Sequence, residues 1–130
     1  MKALAIDDDL DFLKILEVHL KTLSYTTTAI HNVEGILRAI TQETFDLVLV
    51  DWMMPDVDGI TIIKAIRARD RQTNYDTRVI MVTAINNPMA RAYAHKSGAN
   101  GFLAKSENPA DFKNLLFELI RSTMNVAAHR

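Results

Sequence analysis

Leu47-Val48-Leu49-Val50-Asp51 is the stretch on which the fold turns: four apolar residues without a break, closed by a carboxylate. A strand with one wet face alternates apolar and polar residues. An unbroken apolar run instead suits a strand covered on both faces, as in the middle of a parallel sheet. Downstream, Trp52 to Gly59 is punctuated by proline and glycine and reads as a loop. Ile60, Ile63 and Ile66 then recur at helical spacing, and Val79 to Val82 is another short apolar run.

The same alternation extends to both ends of the chain. Lys2 to Ile6 reads as a strand, and Leu10, Leu13, Leu16, Leu20 and Leu23 follow at helical spacing, with Asp8 or Asp9 placed to cap that helix. Thr26 to Ile30 is rich in β-branched residues, and Asn32 can cap a helix carrying Ile36, Leu37 and Ile40 on one side. Pro88 fits the first turn of a fourth helix and Gly98 its left-handed end. Gly101 to Ala104 is the fifth strand. Asn108, Pro109 and Asp111 then supply a cap, a first-turn proline and a first-turn acid for a helix carrying Phe112, Leu115, Leu116, Leu119 and Ile120. Strand then helix, five times over, predicts an α/β fold with a parallel sheet and helices on both faces. One domain is expected over residues 1–124, with 125–130 as a tail or the start of a linker, the sequence turning polar from about Arg121.

Composition narrows the function classes. The 130 residues are 48% hydrophobic and 24% charged, as in an ordinary globular domain. Fifteen Lys and Arg against sixteen Asp and Glu leave a net charge of -1, so no global basic field attracts nucleic acid or an anionic membrane. No apolar run approaches the ~20 residues of a spanning helix, and the first residues read as a strand that meets three aspartates, unlike a signal peptide. A cytoplasmic location is expected. With no cysteine there is no disulfide, thiolate zinc site or cysteine nucleophile.

Asp7, Asp8 and Asp51 stand out because they end strands instead of decorating helices. In open α/β sheets ligands bind beyond the carboxyl ends of the strands. If the first and third strands are neighbours, these carboxylates converge there and raise one another's pKa unless a cation neutralises them. An all-oxygen cluster selects a hard ion, and Mg2+ suits it because it binds a few carboxylates while keeping waters and accepting phosphate oxygens. Thr83, after the fourth strand, can donate its hydroxyl to a phosphoryl oxygen, and Lys105, after the fifth, supplies a positive charge beside the metal. A carboxylate is a competent phosphoryl carrier, so Asp51 is the candidate acceptor.

At these residues the sequence resembles the receiver domains of two-component response regulators. Ala5-Ile6-Asp7-Asp8-Asp9 is similar to the family's acidic pair, and Leu49 to Gly59 to its phosphoacceptor loop. Met81-Val82-Thr83-Ala84 is similar to its hydroxyl-bearing switch, and Phe102-Leu103-Ala104-Lys105 to its aromatic and lysine. The resemblance implies a flavodoxin-like αβα sandwich with five helices and a parallel sheet in the order 2-1-3-4-5. It implies that Asp51 takes a phosphoryl group from a histidine on a sensor kinase or phosphotransfer protein, and that Mg2+ is held by Asp7, Asp8, Asp51 and the backbone carbonyl of Met53. Thr83 and Phe102 would move together, with Ala84 leaving space beside Thr83, and would remodel the face of the fourth helix, fifth strand and fifth helix. Such a domain is a switch, assisting only its own phosphorylation and dephosphorylation.

Two departures matter. Ser106 stands where many members carry a cis proline, and a cis bond at a non-proline residue costs about 2.5–4 kcal/mol, so a trans bond is expected. The run from Gly98 to Ser106 with Pro109 looks more like the members that carry a helix-turn-helix output domain, a possible partner of this one. A pseudo-receiver would lack an acid, the threonine or the lysine, and none is missing. A phosphohydrolase with an aspartyl-phosphate intermediate would carry an acid two residues after the nucleophile, where this chain has Met53. Met53 and Ile85 flank the expected acyl phosphate, hold no water and are expected to shield it.

Other residues have plainer readings. His19, His31, His95 and His129 lack metal-ligand spacing and are expected at the surface. Lys64, Arg67, Arg69 and Arg71 are expected to form a solvated face. Met53, Met54, Met81 and Met89 fill gaps or line a contact surface. Asp58 and Gly59 shape the loop and start the third helix.

Overall fold

The computed structural model describes residues 1–105 and 108–128. Strands β1 (Lys2–Ile6), β2 (Thr26–Ile30), β3 (Leu47–Val50), β4 (Arg78–Thr83) and β5 (Gly101–Ala104) alternate with helices α1 (Leu10–Thr22), α2 (Val33–Gln42), α3 (Gly59–Thr73), α4 (Pro88–Ser97) and α5 (Pro109–Ala128). All strand pairs are parallel and the order is β2-β1-β3-β4-β5, the flavodoxin-like arrangement. The helix α5 continues past Arg121, where the sequence turns polar.

Strand β3 shows why its composition was unbroken. Val48 and Val50 pack with α2, α3 and α4 through Ile36, Ile40, Ile60, Ile63 and Ala94, whereas Leu47 and Leu49 pack with α1 and α5 through Leu13, Leu16, Leu116 and Ile120. With a helical layer on each side, every residue of the strand is buried. Each such side chain contributes roughly 1.5–3 kcal/mol.

Polar side chains set the helix starts. Asp9 caps α1, accepting the N–H of Asp11 and Phe12; Asn32, Asp58 and Asn87 do the same for α2, α3 and α4, and Asn108 accepts the Asp111 N–H. The capping role at α1 thus falls to Asp9, and Asp8 is left for other work. Some stripe residues do not face the core: Leu10, Leu37 and Leu115 are exposed because each lies at the edge of its helix's buried arc.

Candidate functional site

Register brings the chemistry together. Ile6 pairs with Val50, so the next residues, Asp7 and Asp51, leave the sheet side by side. The Asp51 N–H donates to the Ile6 carbonyl at 3.0 Å, which fixes that junction. Thr83 is the last residue of β4, not the one after it, and pairs with Ala104; the Lys105 N–H then donates to the Thr83 carbonyl at 2.8 Å. Asp7, Asp51 and Lys105 follow β1, β3 and β5, and Thr83 ends β4, so all four lie at the carboxyl end of the sheet.

One oxygen from each of Asp7, Asp8 and Asp51 lies within 4.8 Å of the others. Asp7 and Asp51 are buried, at 1% and 6% exposure, while Asp8 is exposed. The Lys105 ammonium reaches into the cluster, 2.7 Å from Asp7 Oδ2 and 3.3 Å from Asp51 Oδ2. Burial pushes the Asp7 carboxyl above its ordinary value against the hydrogen bonds from Lys105 and the Asp9 N–H, and the charge of Asp51 pushes the same way. Burial pulls Lys105 down, but the Asp7 hydrogen bond and the two carboxylates outweigh it and hold its pKa above the usual value. A group of acids with one member made reluctant to ionise suits a cation that restores the charged form. The donor set is oxygen only, converges on one point and has one exposed side where waters can complete a shell. It can hold a hard divalent ion.

The surroundings complete the site. Thr83 is buried and its Oγ1 accepts the Ile85 N–H at 3.4 Å, so its own proton remains to be donated elsewhere. Ala84 is exposed. Phe102 is half-buried with the Arg91 guanidinium 5.0 Å from its ring centre. Met53 is 65% exposed, and its backbone bridges to Asp58 across the loop. Gly59 closes the loop: its N–H donates to the Trp52 carbonyl, and a Cβ there would lie 2.1 Å from the Asp51 carbonyl oxygen.

The sequence reading missed three contacts here. The Lys105 Nζ lies 4.4 Å from the centre of the Phe12 ring, the Trp52 ring stacks on Tyr93 of α4 at 6.0 Å, and Arg91 covers Phe102. None has a local signature, since each joins residues from different elements. Two readings are corrected. His19 is half-buried and not fully at the surface: its ring packs against Phe112 and Phe117 of α5. Arg67 and Arg69 are half-buried and not a free solvated face, because their guanidinium groups donate to carbonyls, those of Gly98 and Thr77 for Arg67 and those of Ile40 and Glu43 for Arg69. The Lys105–Ser106 bond and His129 lie outside the described residues.

The family model for the response regulator receiver domain matches residues 3–117. The chain belongs to that family. Among curated relatives, the response regulator protein PilR of Pseudomonas aeruginosa is 32% identical over 120 residues, 92% of this chain and 26% of that protein. The probable transcriptional regulator ycf27 of Guillardia theta is 29% identical over 126 residues, 97% of this chain and 48% of that one. The receiver thus spans about a quarter to a half of the length of the curated relatives it matches. Among solved structures, a response regulator from Burkholderia pseudomallei with a phosphorylated aspartic acid, calcium ion and citrate superposes with a TM-score of 0.77 at 25% identity, covering 98% of this chain and 71% of that one. The chemotaxis response regulator CheY4 of Vibrio cholerae shares the fold, with a TM-score of 0.77 at 24% identity over 91% of this receiver and 97% of that chain. Among the described residues no helix is long and apolar enough to cross a membrane.

Proposed function

We propose that this receiver takes a phosphoryl group onto Asp51 from a phosphohistidine of a sensor kinase or phosphotransfer protein, in a Mg2+-dependent reaction. The observation that carries this reading is the meeting of Asp7, Asp8 and Asp51 with the Lys105 ammonium at the carboxyl ends of β1, β3 and β5. A carboxylate oxygen of Asp51 attacks phosphorus, an O–P bond forms, the N–P bond of the donor imidazole breaks, and its electron pair returns to the ring nitrogen. Lys105 meets the charge gathering on the phosphoryl oxygens, and Thr83 donates its hydroxyl to one of them. Asp7, Asp8, Asp51 and the Met53 carbonyl would hold Mg2+, which when bound neutralises the acids and the incoming phosphate.

The output step uses Thr83, Phe102 and Ala84. Drawing the Thr83 hydroxyl toward the phosphoryl group frees room that Phe102 can enter, changing the face made by α4, β5 and α5. Residues 1–124 are the receiver and 125–130 the tail or the start of a linker. A helix-turn-helix output domain is the expected partner in a longer protein. The location is cytoplasmic, and this domain itself engages neither nucleic acid nor membrane. It is a switch, catalysing only its own phosphorylation and dephosphorylation.

The test is labelling with acetyl phosphate and Mg2+ in wild type, Asp51→Asn and Asp51→Ala, with a parallel Mg2+ titration followed by Trp52 fluorescence. Only wild type should label, and Asp8→Ala should abolish the fluorescence response. Equal labelling of all three proteins would refute the assignment.

A further inference from the structure

We infer that Phe12 is a positioning residue for Lys105, its ring face holding the ammonium over the strand ends while that ammonium changes partners; this rests on the phosphoryl-transfer role of Lys105 proposed above. A lysine ends in a point charge on a flexible four-carbon stem, and ordering such a stem is entropically costly. Yet the Lys105 side chain is only 20% exposed, and three groups surround its nitrogen: Asp7, Asp51 and the Phe12 ring at 4.4 Å from its centre. That distance lies within the reach of a cation–π contact.

The ring is itself fixed from two sides. Phe12 lies in the first turn of α1, where its N–H donates to Asp9 Oδ1 at 3.1 Å, and its ring meets Phe112 of α5 edge-on, with centres 5.5 Å apart and planes at 70°. Phe112 is buried. The wall against Lys105 is therefore built into the α1–α5 seam.

What the ring adds differs in kind from what the carboxylates add. The ammonium leans on Asp7, at 2.7 Å, more closely than on Asp51, at 3.3 Å. To serve the phosphoryl group it must swing from Asp7 toward Asp51. Hydrogen bonds to carboxylates are directional and break during that swing, whereas attraction to a ring face varies gently with the direction of the N–H bonds. Phe12 can hold the charge throughout, and it excludes water from one side of it.

The experiment replaces Phe12 with mono-, di- and trifluorophenylalanine, which nearly keep the ring's size while progressively weakening its negative face, and adds Phe12→Leu. The rate of labelling at saturating acetyl phosphate should fall stepwise along the fluorinated series, to about three- to tenfold below wild type for the trifluoro ring and Phe12→Leu. Mg2+ affinity and the urea midpoint of the fluorinated proteins should stay at the wild-type values. In a Lys105→Met background the series should show no gradient. A flat series in a protein that does label overturns this inference and leaves the role of Asp51 standing. A gradient that persists without Lys105 also overturns it, since Phe12 would then act through packing. An unlabelled wild type would instead overturn the phosphoacceptor reading.

Discussion

Thr83 and Asp51 are each followed two positions on by an apolar residue, Ile85 and Met53, and this bears on how long a phosphoryl group would persist. Hydrolysis needs a water in line with phosphorus, oriented by a polar side chain. Met53 is 65% exposed and Ile85 is half-buried. Both side chains lack an atom able to hydrogen-bond that water. Positioning and proton-transfer assistance are typically worth ~10²-fold or more. With no kinase or phosphatase present, Met53→Asn should shorten the lifetime of the labelled protein and Met53→Asn/Ile85→Glu should shorten it further. Wild-type decay as fast as that of the double variant would sink the idea. Gly59 shows what a single residue conceals. The sequence marks it as punctuation, but only the fold reveals that any side chain there would collide with the Asp51 carbonyl.

Helices α1 and α5 meet along a seam of aromatic rings, Phe12 against Phe112 and His19 against both Phe112 and Phe117. Burial lowers the pKa of His19 below its ordinary 6.5, and the charge of Lys113 pushes the same way. A histidine lowered in the folded state binds fewer protons there than in the unfolded chain. Stability is then full above about pH 6.5, falls as the pH drops from there toward the folded value, and levels off below it. Lowering the pH from 7.5 to 5.5 should therefore reduce the urea midpoint of wild type more than that of His19→Phe, in metal-free buffer. Parallel curves for the two proteins would remove His19 as the cause. At this scale the sequence was a good guide to existence and a poor one to facing. All ten elements and the caps at Asn32 and Asn108 were legible from spacing and residue type. The half-buried place of His19 was not, because it depends on how α5 packs across α1.

Across the whole molecule, chemistry and stability occupy opposite ends of the sheet. The strand order followed from the resemblance, and the meeting of Asp7, Asp8 and Asp51 with Lys105 was legible because these residues directly follow the ends of strands. The opposite end was misread. There Arg67 donates from Nε and Nη2 to the Gly98 carbonyl at 2.9 and 2.7 Å, from Nη2 to Asn100 Oδ1 at 2.8 Å, and from Nη1 to Asp70 Oδ2 at 2.9 Å and to the Thr77 carbonyl. Asp70 in turn accepts from the Thr77 N–H and hydroxyl, and Asn100 Oδ1 accepts the Val79 N–H. One guanidinium thus ties α3, the start of β4, the end of α4 and the entry to β5, through partners up to 33 residues away in sequence. No periodicity reports contacts at that range, so a charged residue on a helix reads as solvated. Gly98, at φ 121°, completes the clasp: a side chain there would be strained and would press on the Arg67 stem. Removing the guanidinium would take the ion pair from the buried Asp70 carboxylate, which keeps its Thr77 donors, and leave two carbonyls without this donor, a loss of roughly 3 kcal/mol or more. Arg67→Met should lower the urea midpoint accordingly. Arg67→Lys should recover little, because a single ammonium cannot reproduce the planar fork that serves Gly98, Asn100, Thr77 and Asp70 together. The labelling rate of whatever fraction remains folded should match wild type, because the clasp lies at the far end of the strands from Asp51. A lysine variant as stable as wild type would show that charge alone, and not the fork, holds this end of the molecule.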